Sequence, residues 1–565
     1  MPFSGLRAFP PGGRPGGRAA DRRLPGAPSP QERRMTAPAP FESVVDAFLE
    51  AASRLAVRPA VVRGGRTGTF ADLAEDVLSL AEALLAAGLR PGERAAVLLP
   101  PSEDFYALTF ALLRAGIVPV FIDPGIGFEN MGRCLAETAP AAFIGSPKAH
   151  LARWAGRWAP AARLSLVADG WLPGVSRLRR LRGSARLRAT SREDVAAILF
   201  TSGSTGAPKG AVYTHGMFAA QLESLRRLFD IQEGEVSVPT FPLFGLFDVA
   251  LGQTCVLPHM DFTRPGFVDP PSLIDLLQKS RACQLFGSPA LLDRVGRFGA
   301  GRGVVLPALR RVLSAGAPMP VKVLERFQRM LSPGVEIQTA YGATEALPVA
   351  LIGSAEALGE TVVETAQGRG ICVGRPVPGV EVSVIRIVDG AIAAWSDSLR
   401  ACRGEVGEIV VKGPMVSRDY FRREEAAALA KIPDGAAVRH RMGDLGHIDD
   451  QGRLWFCGRK SQRVRTQEGD LYTLPVEGVF NAHPDVKRTA LVGVGREPVL
   501  CVEKEPGTKS TKEELTKELL ALGARHEHTR RVKTVLFHPS FPVDIRHNAK
   551  IVREKLAVWA AQRLA

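Results

Sequence analysis

The sequence predicts a layered α/β fold made of more than one packed unit, and three observations lead there. Helical and extended patterns interleave through the first part of the chain, as they do when helices cover a mostly parallel sheet. A short apolar run, Val195 to Phe200, breaks abruptly into small and hydroxylated residues, which suits a buried central strand better than a surface helix. With 565 residues and 45% hydrophobic content, the chain exceeds one ordinary domain and can fill two or three cores.

Residues 1–34 are set apart from this pattern. Arg7, Arg14, Arg18, Arg22, Arg23, Arg33 and Arg34 sit among Pro, Gly and Ala, and such a stretch cannot bury enough apolar surface to fold. It is expected to be a basic disordered extension or a start-site artefact, because Met35 offers a second start just before the globular pattern begins. From Phe41 to Leu89, two helical patterns flank a short extended segment, Ala60-Val61-Val62. Glu93 to Leu99 reads as a strand, followed by a helix, a turn at Gly116 and another strand ending near Pro124. The run Arg177 to Arg192 alternates arginine with leucine. Gly183 interrupts it, so a solvated connector is favoured over a helix lying on a membrane surface.

The stretch Val195 to His215 organises the rest. After the strand come Thr201, Ser202, Gly203, Ser204, Thr205 and Gly206, whose backbone N–H groups and hydroxyls can close around phosphate oxygens, with Lys209 as a mobile positive charge. A flexible linker has the same composition, but a linker does not follow a buried strand and lead straight into a second apolar segment, Ala211-Val212-Tyr213. The spacing is not that of the P-loop. A helix is expected over 216–229, then an apolar stretch from Val238 to Asp248. Strand exits follow at Phe286-Gly287-Ser288-Pro289 and at Leu313 to Pro318, and a further strand from Val335 to Thr339 precedes Tyr341-Gly342-Ala343-Thr344-Glu345.

Composition narrows the function classes. The seven cysteines are scattered without close pairs, which gives neither metal-ligand spacing nor a disulfide framework and points to a reducing, cytoplasmic setting. The formal charge of +15 lies partly in the basic extension, and no aromatic-interleaved basic surface accompanies it, so nucleic-acid binding is not expected. The best membrane-span candidate, Tyr106 to Ile122, is broken by Arg114 and Pro119.

Taken in order, these motifs resemble the adenylate-forming superfamily of acyl-CoA synthetases, peptide-synthetase adenylation domains and luciferases, over essentially Phe41 to the C-terminus. The resemblance implies a large N-terminal adenylation domain of layered β-sheets and helices, residues 35–459, and a small mobile α+β lid, residues 460–565, hinged near Ser461. It implies ATP and Mg²⁺. The Thr201–Lys209 loop would hold phosphate, Gly316, Ala317 and Pro318 would pack around adenine, and Tyr341 and Gly342 would lie against the base. Thr344 would bind phosphate, and Glu345 would support the metal. Asp444, in Arg441-Met442-Gly443-Asp444-Leu445-Gly446, would accept bonds from the ribose hydroxyls, and Arg459 would reach the same sugar. Lys550 would be the catalytic lysine. Three departures stand out: Gly245 where a histidine or aromatic is frequent, which is expected to open space, Ser461 at the pivot, and Ala549 where glycine is usual.

Finer likeness, in Tyr213 to Phe218, Pro239 to Asp248, Phe286 to Val295 and Tyr341 to Ala350, is to the β-lactone synthetases of bacterial long-chain olefin biosynthesis. It implies activation of a 2-alkyl-3-hydroxyalkanoic acid as acyl-AMP, then attack by its own β-hydroxyl to close a lactone. His215 is a candidate base for that step, although a histidine at a helix start is more often structural. A thiolase, a reductase and a decarboxylase are implied as pathway partners. A medium- or long-chain acyl-CoA synthetase shares every ATP-site residue and stays open as a second reading. A nucleotide-binding scaffold without catalysis is a third.

Overall fold

The computed structural model describes residues 41–201, 207–543 and 551–565. The predicted extension 1–34, Ser202, Gly203, Ser204, Thr205, Gly206, Ala549 and Lys550 lie outside the described residues.

Two large sheets form the body. The first has seven strands, in the order Ser176–Arg177, Leu164–Val167, Ala142–Gly145, Arg94–Leu98, Val118–Phe121, Val195–Phe200 and Gly210–Thr214; all neighbours are parallel except the last pair. Val195–Phe200 therefore is the buried inner strand that its apolar run requires, and its chain reverses to pair with the segment after the loop. The second sheet has nine strands, with Pro59–Arg63 near one edge and Arg311–Ala315, Ile337–Ala343 and Ala346–Gly353 toward the other. The largest core lies between these sheets. Val97 and Ala95 face it from one, and Ala60, Val61 and Cys255 from the other. Helix Glu103–Arg114 is buried on nearly every side within it, with Ser102 capping its start by accepting from Phe105 N–H.

A third, antiparallel sheet carries Ala437–Ile448 and Leu454–Arg459 side by side. The C-terminal unit has its own three-stranded sheet, Val486–Val494, Glu497–Lys504 and Thr534–Phe537, and two apolar clusters drawn wholly from residues 464 onward. Its last helix, Arg553–Leu564, is anchored by an ion pair between Arg553 and the buried Glu477 at 2.7 Å.

Two expectations shift. The strand expected at Val335 to Thr339 runs Ile337–Ala343 and so carries Tyr341 and Gly342. The antiparallel partner Ala346–Gly353, which follows in a tight hairpin, extends it beyond its parallel neighbour. The apolar stretch Val238 to Asp248 divides into strand Val236–Pro239 and helix Phe244–Ala250. Beyond the strand Ser176–Arg177 and the short turn Leu178–Arg180, the Arg177–Arg192 run has no regular structure, and Arg179 is held by Asp104 at 2.7 Å. Among the described residues no helix is long and apolar enough to cross a membrane.

Candidate functional site

A cavity of about 1480 Å³ opens where the seven-stranded sheet ends, reaching to the third sheet and to Lys460 and Ser461. Its walls are mostly apolar, and its polar lining includes Thr201, Lys209, Thr344, Glu345 and Arg459. Two hydrogen-bonded groups stand at that polar region; of the first, Arg459 is in the lining, and Tyr341 and Asp444 lie behind it.

The first joins Tyr341, Asp444 and Arg459. Asp444 and Arg459 are register partners on adjacent antiparallel strands, so the sheet itself sets their carboxylate and guanidinium 3.0 Å apart. Gly443 precedes Asp444 at φ +65°, a conformation that side-chain-bearing residues rarely adopt. Tyr341 reaches across from the nine-stranded sheet and donates its hydroxyl to Asp444 Oδ2 at 2.7 Å. Burial first, then the neighbouring Asp444, raises the Tyr341 hydroxyl pKa far above its ordinary value, so it stays a donor. The Asp444 carboxylate likewise raises the Arg459 pKa and keeps that side chain cationic. A carboxylate with one bond on each oxygen still has lone pairs for two hydroxyls.

The second group surrounds Glu345, which is buried just after the strand Ile337–Ala343. Tyr420 donates its hydroxyl to Glu345 Oε1 at 2.5 Å. Two lysines face the Tyr420 ring, with Lys209 Nζ 5.3 Å and Lys431 Nζ 5.4 Å from its centroid. Lys431 also donates to the Ser417 hydroxyl at 2.9 Å. Burial pulls its pKa down to about 8 against the pull of Glu345 and Asp419. Thr344 contributes its carbonyl oxygen, which accepts from the Tyr213 hydroxyl. Tyr420 and Lys431 had no sequence signal. They lie in a loop and strand far along the chain and meet Glu345 only through folding.

Thr201 and Lys209 flank the 202–206 segment and are tied by a bond from Thr201 N–H to Lys209 O at 2.9 Å. Gly316, at φ +97°, lines the cavity, while Ala317 and Pro318 are half-buried beside it and outside the lining. His215 opens the helix His215–Phe229, is 1% exposed and is not among the residues lining the cavity. Burial lowers its pKa. A different histidine does line it. His440 hydrogen-bonds through Nδ1 to the Ala430 carbonyl at 3.2 Å, and burial, reinforced by Lys431, keeps it neutral. At the Lys460 end of the cavity, buried Glu408 pairs with Arg441 at 2.7 Å and with Lys460 at 3.2 Å.

Gly245 does not open the cavity. It is buried in the helix Phe244–Ala250, outside the lining, and a Cβ there would stand 2.1 Å from the Tyr106 hydroxyl oxygen. That hydroxyl is fixed by a bond to the Pro242 carbonyl at 3.1 Å. The missing side chain makes room for Tyr106, not for substrate. Gly245→Ala should therefore cost about 1–3 kcal/mol by overpacking, read as a lower midpoint in urea denaturation. An unchanged midpoint would show that Tyr106 yields freely.

On the same helix, Asp248 faces away from the cavity and accepts from Gln284 Nε2 at 3.0 Å. Burial raises its pKa from 3.8 to about 7. A carboxyl whose folded pKa exceeds its unfolded one stabilises the fold fully below the unfolded value and loses that contribution as pH rises through the folded value. The contribution should thus fade between about pH 4 and pH 7. Asp248→Asn should flatten the decline of melting temperature over that window, and parallel wild-type and variant curves would contradict the assignment.

Comparison with known proteins agrees with this geometry. Residues 48–421 match the family described as AMP-binding enzyme. An olefin β-lactone synthetase from Xanthomonas campestris pv. campestris is 49% identical over 514 residues, covering 88% of this chain and 91% of its own. A second, from Stenotrophomonas maltophilia, is 49% identical over 86% of this chain and 90% of its own. Among solved structures, an amide bond synthetase from Marinactinospora thermotolerans superposes with a TM-score of 0.77 at 25% identity, covering 91% of this chain and 99% of that one.

Proposed function

The chain belongs to the AMP-binding enzymes, and from that premise we propose that it activates a long-chain 2-alkyl-3-hydroxyalkanoic acid as acyl-AMP and closes it to a β-lactone, releasing pyrophosphate and AMP. The carrying observation is an apolar cavity of about 1480 Å³, beyond the roughly 300–1,000 Å³ of ordinary small-molecule sites, opening directly onto Lys209, Glu345 and Arg459. Likeness to two olefin β-lactone synthetases over most of the chain supports lactone over thioester as the product.

ATP fits the polar groups present. Asp444, held between Tyr341 and Arg459, would accept from the ribose hydroxyls, and Lys209 with the loop before it would hold the leaving pyrophosphate. Glu345 suits a hard cation, because Tyr420 occupies one of its oxygens and leaves the other. Among the described residues there is no cluster that holds a metal by itself, so an ion at Glu345 would depend on the nucleotide phosphates for further ligands. Mg²⁺, when bound, supplies charge neutralisation on those phosphates.

Lys550 would stabilise the charge that develops as the acid's carboxylate attacks the α-phosphorus. The β-hydroxyl oxygen then bonds to the activated carbonyl carbon, the acyl–phosphate bond breaks, AMP leaves and the hydroxyl proton is lost. The nucleophile is part of the same molecule, so its high effective concentration makes a thiol acceptor unnecessary. We assign His215 no step. The lid would comprise residues 460–565 and turn about Ser461, beside Lys460, which Glu408 anchors. A cytoplasmic setting agrees with seven cysteines that are all free. A thiolase and a reductase would supply the acid, and a decarboxylase would consume the lactone.

Purified full-length protein given the hydroxy acid, ATP and Mg²⁺ without coenzyme A should yield β-lactone, AMP and pyrophosphate by mass spectrometry. Thioester formed only after coenzyme A is added would favour the acyl-CoA ligase. Absence of ATP–pyrophosphate exchange with hydroxy and fatty acids alike would favour the scaffold.

A further inference from the structure

The cavity lies on both faces of one sheet. In a strand, successive side chains point to opposite faces. Three neighbouring strands of the seven-stranded sheet each present residues of both orientations to the cavity where they end. Val97 and Phe121 face the core between the two large sheets and Leu199 the adjoining small cluster around Tyr213 and Met217, which Phe121 also joins, whereas Leu98, Ile122 and Phe200 face the separate core beneath helices Phe128–Thr138 and Pro147–Gly156. The inner arm continues to Phe244 and Phe286, whose rings stack at 4.1 Å. The outer arm continues to Met131, Ala149, Ala152 and Trp158. Phe128, 52% exposed and 4.4 Å from the Trp158 ring, stands at its rim. Thr201 and Lys209 sit at the crest where the strand Val195–Phe200 ends and the two arms meet.

A single straight chain attached to a carboxylate at that crest would need one arm only. We propose that the outer arm is a second alkyl-binding subsite, so that the two hydrocarbon branches of one acid straddle the edge of the sheet, one branch in each arm with the carboxylate and hydroxyl between them. This rests on the β-lactone reading and specifies how that substrate is held. Both arms are lined mainly by apolar side chains, with Asp123, Ser146, Lys148 and Asp169 also along the outer one, and Thr201 and Lys209 stand between them to meet the polar head. Burial of each methylene is favourable, so an arm that holds several of them sets chain length for its own branch.

The experiment compares three acids: one with both branches long, one with only the 2-alkyl branch short, and one with only the hydroxyl-bearing branch short. Initial rates of ATP–pyrophosphate exchange yield kcat/KM for wild type, for Ala152→Phe and the milder Ala152→Leu in the outer arm, and for Leu225→Phe in the inner arm. Thermal melts identify any variant that fails to fold. Filling the outer arm should lower kcat/KM about tenfold or more for acids long in one branch, while the acid short in that branch keeps wild-type efficiency within about twofold; tenfold corresponds to 1.4 kcal/mol, roughly two methylenes. Leu225→Phe should show the opposite branch preference. If Ala152→Phe and Ala152→Leu leave the ranking of the three acids unchanged in folded protein, or depress all three equally, the outer arm is not an alkyl subsite. Wild type that exchanges well with the doubly long acid keeps the β-lactone reading intact in that event. Wild type that exchanges with none of the three acids would overturn both.

Discussion

Asp444→Ala is expected to lower ATP affinity by at least about 100-fold and to abolish lactone formation at millimolar ATP. The substitution would remove the acceptor proposed for the ribose and takes the carboxylate from Tyr341 and Arg459, which meet Asp444 at 2.7 and 3.0 Å. A tyrosine hydroxyl left without an acceptor in a buried setting costs about 1–3 kcal/mol, so the folded protein should also lose stability, although Arg459 keeps its bond to the Met442 carbonyl at 3.2 Å. Titration calorimetry with ATP separates the two effects, and urea denaturation measures the second. Asp444→Asn provides the control. Its amide oxygen can still accept from Tyr341, so stability should recover more than affinity does. ATP binding that survives Asp444→Ala unchanged would remove this group from the nucleotide site.

Lys550→Ala is expected to reduce the rate of acyl-AMP formation by about 100- to 1,000-fold, the usual loss when one group aimed at developing charge is removed. ATP affinity should stay within about threefold, because a residue that acts on the transition state contributes little to ground-state binding. Pyrophosphate exchange and equilibrium binding measure the two quantities separately. Undiminished exchange would take Lys550 out of the mechanism. The expectation rests on the place of Lys550 in its motif and on the electrostatics of joining two anions.

The site was legible in the sequence to different depths. Motifs whose residues are contiguous, such as Tyr341 to Glu345, carry their own spacing, and the fold sets Tyr341 against Asp444 and Glu345 beside Lys209's neighbour Tyr420. Tyr420, Lys431 and His440 were not legible, because Tyr420 meets Glu345 75 residues away and each of the three alone reads as an ordinary surface or core residue. Gly245 misled for a related reason. A missing side chain tells that something needs space, but only packing tells what, and here it is the Tyr106 hydroxyl.

By itself the sequence determined the layered α/β class, the buried strand Val195–Phe200, and membership in the AMP-binding family, because those depend on local periodicity and on short motifs in a set order. The tertiary structure decided how Asp444 and Arg459 pair across two strands, how Tyr420, with Lys209 and Lys431 against its ring, holds Glu345, and that the cavity occupies both faces of one sheet. These depend on strand register and on which side of the pleat a residue falls. A shift of one position reverses every side chain, and that choice is made by the whole sheet and not by any stretch of the chain.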